Sequence, residues 1–512
     1  MTQPPESNFL QLQPPFQLIQ GGMGVGVSTW RLARAVAVAG EKLHKAVLGV
    51  VSGTGLSDIM IHRLQEGDPD TIRVLTDYDP VLASELIDVY GSHVSWPKGL
   101  RRRMPPKPEV LVNGTQAMKA HLTRLTVAAA FVEVSLAKAG HGGPIGINIL
   151  EKLQLMHLPV LLGAMLAGVD YVLAGAGIPH QIPALLQHYS ALQPASYKLD
   201  VAGTNEKHLM TLDPRSITQR LGTLKKPRFL AIVSHHALAM RLASTVEVDG
   251  FIIEGPTAGG HNAPARGKDV DEAGEPVYGE RDQPDLDKMR SLGKPFWLAG
   301  SYACKLSEAI GLGAAGIQVG SAFALSNESG LTAAVKRALR GKIASRTLQV
   351  TTSTTASPTG FPFQVAQLPG TLAEPAVYGA RKRICNFGQL VEAYAKPDGS
   401  GTGIGFRCPA EPVAAYLRKG GREERTAGAV CLCNGLAATA DYGRTVASGP
   451  EPTIVTLGKN VEFYDQICAA PDGSYQAEDV VRYVYREEIP VPVTARKVAV
   501  TERVVSAVAV GA

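Results

Sequence analysis

Short apolar runs followed by stretches with helical spacing of apolar positions recur through the first two-thirds of the chain. They are Phe16–Gln20, Ala46–Val51, Pro144–Ile149, Asp170–Ala174, Arg228–Val233, Gly250–Glu254, Pro295–Ala299 and Gly316–Val319. Most are continuously apolar rather than alternating, as expected of strands covered on both faces. Most also run into glycine-containing turns. Strands alternating with helical patterns predict an α/β fold with a parallel sheet. Eight strands fit either a closed (β/α)8 barrel or a doubly wound open sheet, and periodicity alone does not separate the two. Among the intervening helices, Thr29–Ala39 is predicted after the first strand with Ser28 as its N-cap. Leu306–Leu312 is predicted after the seventh, with Ser307 and Glu308 in its first turn.

Two segments interrupt the rhythm. Gly53–Gly143 contains a long helical stretch, Gln116–Ala139, and reads as a helical insertion or lid over the mouth of the sheet. Ser190–Lys226 lies between the fourth and fifth strands, with a short hairpin expected around Tyr197–Ala202. The rhythm fades after about Arg340. The expected division is an N-terminal tail over 1–15, a main domain over 16–340 (insertion about 53–143), and a C-terminal cap or small domain over 341–512. Within the last, Pro490–Ala512 alternates Val with polar residues and reads as a strand or a loose tail.

Composition narrows the class. At 512 residues the chain is too long for one ordinary domain. With 45% hydrophobic and 19% charged residues it can bury a large core and is not a disordered chain. Lys plus Arg number 51 and Asp plus Glu 46, a difference of five that gives no nucleic-acid signal. The dense basic run Arg101-Arg102-Arg103, followed by Pro105, Pro106 and Pro108, reads first as an exposed loop and second as an anion or partner patch. No apolar stretch reaches the roughly 18 residues that span a bilayer. The polar, Pro-rich start lacks the layout of a signal peptide. Six cysteines in so long a chain do not make a disulfide scaffold. A cytoplasmic protein without membrane or nucleic-acid partners is the expectation.

The candidate chemistry lies in the turns after the strands. Glu254-Gly255-Pro256-Thr257-Ala258-Gly259-Gly260-His261-Asn262 follows the sixth. Its adjacent glycines permit close backbone approach to a flat or phosphorylated ligand, and His261 suits acid–base work near neutral pH. After the first strand comes Gly21-Gly22-Met23-Gly24-Val25-Gly26. The glycines alternate and lack the third member of a dinucleotide fingerprint, so this loop is read as one laying Met23 and backbone N–H groups on a ring system. Ala299-Gly300-Ser301 follows the seventh strand and Gln318-Val319-Gly320-Ser321-Ala322-Phe323 the eighth. Loops there form the usual phosphate site of a barrel, and Gly300, Gly320 and Ser321 suit it. No P-loop lysine is present. Asn148 ends the third strand with an amide able to bond a polar ring edge.

Together these loops resemble the nitronate monooxygenase family, formerly 2-nitropropane dioxygenases, and its relatives, the flavin-dependent enoyl-ACP reductases. The resemblance rests on Ile19–Gly24, Gly146-Ile147-Asn148, Ala258-Gly259-Gly260-His261, Ala299–Ser301 and Gln318–Phe323, within residues 16–340. It implies a TIM barrel carrying FMN at its mouth. Gly22 and Met23 would lie near the ring and Asn148 at its polar edge. Gly259, Gly260, Gly300, Ser301, Gly320 and Ser321 would line the cofactor, with Gly260, Gly300, Gly320 and Ser321 near its phosphate, and His261 would be catalytic. The implied reaction is oxidation of nitronates or nitroalkanes by O2 to carbonyl compounds and nitrite. The alternative is NAD(P)H-dependent reduction of an enoyl thioester, with an acyl carrier protein as partner; a non-catalytic, partner-binding barrel is a third. Pro256, Thr257 and Asn262 depart from the family pattern. The sequence leaves room for a homodimer.

Cys385, Cys408, Cys431 and Cys433 lack paired Cys-x2-Cys spacing and read as buried free thiols rather than a metal site. Cys304 reads likewise. His235 and His236 follow the fifth strand and are candidates for substrate contact; His141 falls at the opposite end.

Overall fold

The eight apolar runs are strands, and they close on themselves. In the computed structural model, which describes residues 16–92, 104–218, 222–444, 451–468 and 470–486, they are β1 (Leu18–Gln20), β2 (Val47–Ser52), β3 (Ile145–Leu150), β4 (Tyr171–Gly175), β5 (Arg228–Val233), β6 (Gly250–Glu254), β7 (Phe296–Ala299) and β8 (Gly316–Val319). Each pairs in parallel with its sequence neighbours, and β1 pairs with β8 (Ile19 opposite Gln318), so the sheet is a closed (β/α)8 barrel. Closure decides against the open sheet.

The strands are continuously apolar because both faces are covered. Ile19, Leu48, Val50, Leu173, Leu230, Ile232 and Ile252 fill the barrel interior, while Leu18, Val47, Val51, Ile147, Val172, Ile253 and Ile317 pack outward against helices. Phe16, Tyr171 and Trp297 plug the end where the strands start. Phe16 stacks on Trp297 at 5.1 Å and meets Tyr171 edge-on at 5.0 Å, and Trp297 Nε1 donates to the Phe16 carbonyl at 3.1 Å. That end is shut, so chemistry is confined to the other.

The first helix runs Trp30–Lys42, and its cap position falls on Thr29, whose side chain makes no capping bond. Ser28 is not the cap. Its hydroxyl donates to the Gly21 carbonyl and accepts from Met23 N–H, both at 2.9 Å, and so shapes the loop after β1. The region after β2 is helical, and the helix Gln116–Lys138 packs along Trp30–Lys42 and His157–Leu166 on the outside of the barrel. Of residues 53–143, among the described ones, only Thr54 reaches the cavity at the mouth. By length and composition Gln116–Lys138 could also cross a membrane, which inspection for uninterrupted apolar runs does not register because Lys119, Arg124 and Glu133 punctuate it. Two-thirds of its most apolar stretch is buried against neighbouring helices. Arg101–Arg103 and Pro490–Ala512 lie outside the described residues.

The expected hairpin exists as Ala195–Leu199 antiparallel to His208–Leu212. Beyond residue 340 come two antiparallel strand pairs, Val350–Ser353 with Phe363–Ala366 and Glu392–Ala395 with Ile404–Arg407, then short helices. One buried apolar cluster runs from the barrel's outer layer through Phe363, Leu432 and Val480, so this region shares a core with the barrel.

Candidate active site

Alternation along a strand decides which strand-end residues look into the barrel. Since Ile252 points inward, so does Glu254; the same parity turns Asn148 on β3 and Gln318 on β8 to the inside. These three polar groups edge a cavity of about 260 Å³, near the lower end of the roughly 300–1,000 Å³ usual for small-molecule sites. Gly22, Met23, Gly259, Gly260, His261, Gly300, Ser301, Gly320 and Ser321 line it too, so the residues expected around the cofactor and His261 meet at one place.

The loops are held in detail. Asn148 Nδ2 donates to the Gly22 carbonyl at 2.8 Å, joining the end of β3 to the first loop, while Asn148 Oδ1 is buried without a partner. Gln318 Oε1 is likewise buried and unpartnered. A Cβ on Gly22 would run into Asn148 Cβ, and one on Gly300, where φ is 87°, would stand 3.2 Å from Ala258 N. Ser301 adopts φ 62° and is anchored by its hydroxyl, which donates to Thr257 Oγ1 at 2.8 Å. Thr257 thereby links the sixth and seventh loops.

The region after residue 340 completes the site, which the sequence did not announce. Gln364 N–H donates to the Gly260 carbonyl at 2.9 Å and Asn262 N–H to the Pro362 carbonyl at 3.2 Å, making a two-residue antiparallel bridge in which His261 faces Phe363. The Pro256 carbonyl accepts from Gln364 Nε2 at 2.8 Å and Asn262 Nδ2 at 3.1 Å. The Gly260 N–H donates to Thr456 Oγ1 at 2.7 Å. Ser321 Oγ accepts from Gly458 N–H at 2.9 Å, which leaves the hydroxyl hydrogen available.

His261 Nε2 lies 2.7 Å from Ser357 Oγ and 3.4 Å from Thr359 Oγ1, and the ring meets Phe363 edge-on at 5.1 Å. Burial pushes its imidazole down to about 4, and the same cause pushes the Glu254 carboxyl up to about 8. Both residues are partly exposed and line the cavity. At neutral pH the cavity therefore holds an uncharged base and an uncharged acid.

No family model and no curated protein matches the chain. Among solved structures it is similar to FabK from Thermotoga maritima (15% identity, TM-score 0.43, 95% of each chain covered). It is also similar to nitroalkane oxidase from Streptomyces ansochromogenes (15% identity, TM-score 0.40, 95% of this chain and 98% of that one). A third is the enoyl reductase domain of MlnA from the macrolactin biosynthesis cluster of Bacillus amyloliquefaciens (15% identity, TM-score 0.33, 70% of this chain and 64% of that one).

Other sequence candidates fall elsewhere. The His235 and His236 rings lie 3.9 Å apart, tilted by 36°, outside the cavity, where His236 Nδ1 accepts from Asp285 N–H. Cys385, Cys408, Cys431 and Cys433 are free and surround a small cavity with Pro358 and Leu390. Burial raises all four thiols, Cys433 to about 12. Among the described residues no group of three or more ligand-type side chains is placed to hold a metal ion. Glu254 and Gln318 could have been found by parity along β6 and β8. Ser357, Thr359 and Thr456 carried no signal, because nothing local marks a serine or threonine that reaches back to a barrel loop.

Proposed function

We propose that this chain is an FMN-dependent oxidoreductase of the nitronate monooxygenase kind, acting on nitronates or nitroalkanes with O2. The observation that carries the reading is the convergence of His261, held neutral, with two orphaned acceptors on one glycine-walled cavity. The donor set fits FMN. Asn148 Oδ1 and Gln318 Oε1 lack donors, and a flavin ring presents an imide N–H to such acceptors. Gly22 and Gly259 allow a flat ring to approach the backbone, and Met23 offers an apolar surface. The Gly300–Ser301 and Gly320–Ser321 loops, with the Ser321 hydroxyl, are the place for the phosphate. FMN, when bound, supplies the electron acceptance that no side chain here provides.

The protein's part is proton handling and exclusion of water. His261 Nδ1 takes the α-proton of a neutral nitroalkane, with Nε2–H donating to Ser357. Phe363 and the segment around Thr456 cover the mouth and keep the base dry. The region beyond residue 340 acts as the cap of the site.

The test is a visible spectrum of the purified protein, then nitronate under air and NADPH without oxygen in separate cuvettes. A flavin spectrum with oxygen uptake on nitronate is expected. A colourless protein that FMN cannot reconstitute sinks the reading; rapid bleaching by NADPH without reaction on nitronate replaces it with an enoyl reductase. His261→Asn is expected to keep the flavin and lose turnover of the neutral nitroalkane by about 10²–10⁴-fold.

A further inference from the structure

We infer that Ser357 and Thr359 form a hydroxyl relay that carries protons between His261 Nε2 and a second, polar cavity on the far side of the cap; this rests on His261 being the base proposed above. Ser357 is only 4% exposed, and its Oγ stands 2.7 Å from His261 Nε2 and 2.8 Å from Thr359 Oγ1. Both hydroxyl oxygens also accept backbone N–H bonds. Thr359 N–H reaches Ser357 Oγ at 3.3 Å and Phe361 N–H reaches Thr359 Oγ1 at 3.4 Å. With Nε2–H and a backbone amide both donating to it, Ser357 has its own hydrogen left for Thr359. Thr359 in turn must donate outward.

Outward lies a cavity of about 440 Å³ that Thr359 lines. Its charged wall consists of Lys152, Lys198, Asp200, Glu206, Glu392 and Arg425. Thr359 does not line the FMN cavity and His261 does not line the polar one, so the two hydroxyls span the wall between them. Phe361 and Phe363 flank the imidazole edge-on, and Gln389 and Leu390 border both cavities. The direction balances. One proton enters at Nδ1, the Nε2 hydrogen passes to Ser357 Oγ, the Ser357 hydrogen passes to Thr359 Oγ1, and the Thr359 hydrogen leaves to solvent. The ring is neutral before and after, as suits a site whose burial disfavours an imidazolium. The ring is reset when a solvent proton passes through Thr359 and Ser357 to Nε2 while Nδ1 gives its proton to a basic oxygen of the product in the cavity.

The relay fixes a tautomer, which can be read without any cofactor. In ¹⁵N-histidine-labelled full-length protein, with the His261 signal assigned by His261→Asn, Nε2 is expected to be protonated and Nδ1 bare between pH 5.5 and 8.5. Ser357→Ala is expected to give mixed tautomers. Thr359→Val should keep the tautomer but slow Nε2–H exchange with solvent by about tenfold or more, and Thr359→Ser should restore it. An Nδ1–H tautomer in the unaltered protein, or wild-type exchange in Thr359→Val, overturns the relay. In FMN-loaded protein given nitroethane, Thr359→Val should lower kcat by about tenfold with KM unchanged; equal kcat also overturns it. A wild-type protein inert toward both nitroethane and nitronate instead overturns the monooxygenase reading, and the tautomer and exchange data then decide the relay alone.

Discussion

His261 and Glu254 share a cavity, and burial moves both toward their neutral forms, which has opposite consequences for stability. The His261 imidazole sits at about 4 in the folded chain against an ordinary 6.5. The unfolded chain therefore takes up a proton first as the pH falls, and stability present above 6.5 is lost between 6.5 and 4. Glu254 sits at about 8 against 4.5, so its contribution is full below 4.5 and lost as the pH rises through 8. Calorimetry of flavin-free protein should show wild type losing Tm relative to His261→Gln from pH 6.5 down to 4, and relative to Glu254→Gln from pH 4.5 up to 8. Flat differences in both series would mean that neither group is desolvated. At this scale the sequence was legible where chemistry is local. A histidine after two glycines at a strand end, and an amide ending a strand, announce themselves. A serine 96 residues away that meets Nε2 does not, because its partner is set by the path of the chain and not by its neighbours.

The strands were legible as elements because being covered on both faces demands continuous apolar runs, and β5, β6 and β8 have the bounds their apolar runs predict. Gln116–Lys138 was found as a helix but placed over the mouth; its long apolar stretch belongs instead to a helix packed among several others on the outside of the barrel. The pairing of residues 260–262 with 362–364 was invisible, since a two-residue bridge has no period. Gln364 is its keystone. It is fully buried, its amide N–H groups reach the Pro256 carbonyl, and its Oε1 accepts from Thr352 Oγ1 at 3.3 Å. Gln364→Leu keeps the volume but strands a buried hydroxyl and removes one of two donors to Pro256. We expect a loss of about 1–3 kcal/mol by urea denaturation and weaker FMN binding, because the His261 loop loses its brace. Gln367→Leu, one residue past the end of that strand and with its amide only part-buried, is the control, expected within about 0.5 kcal/mol. Equal effects from the two would remove the bridge from the account of the site.

At the scale of the whole molecule, the region after residue 340 must hold its place on the barrel, since it supplies Ser357, Thr359, Phe363 and Thr456 to a site whose glycine loops belong to the barrel. Apolar burial gives adhesion but little register; a buried ion pair with hydrogen bonds in several directions gives register. Arg444 meets that description. Its guanidinium bonds Asp58 Oδ1 at 2.7 Å, on the helix Leu56–Glu66 that follows β2, as well as the carbonyls of Asn386 at 2.5 Å and Pro105 at 3.1 Å. Asp58 is 1% exposed, and burial raises its carboxyl even though Arg444 pulls it down. Arg444→Met leaves a buried carboxylate and two carbonyls without their donor. It should cost about 3–5 kcal/mol, and because Asp58 can then escape by taking a proton, the loss should be smaller at pH 5 than at pH 8. Asp58→Leu combined with Arg444→Met removes the stranded charge and should recover much of the stability but not the register. The double variant is thus expected to fold while binding FMN less tightly and showing altered His261 ring shifts. Full recovery of both would reduce the pair to a packing contact. A double variant no more stable than the sum of its single losses would show that Asp58 and Arg444 are not coupled, and the alignment of the cap over the mouth would then rest on the strand bridge at Phe363 together with the bonds of Thr456 and Gly458 to the barrel loops.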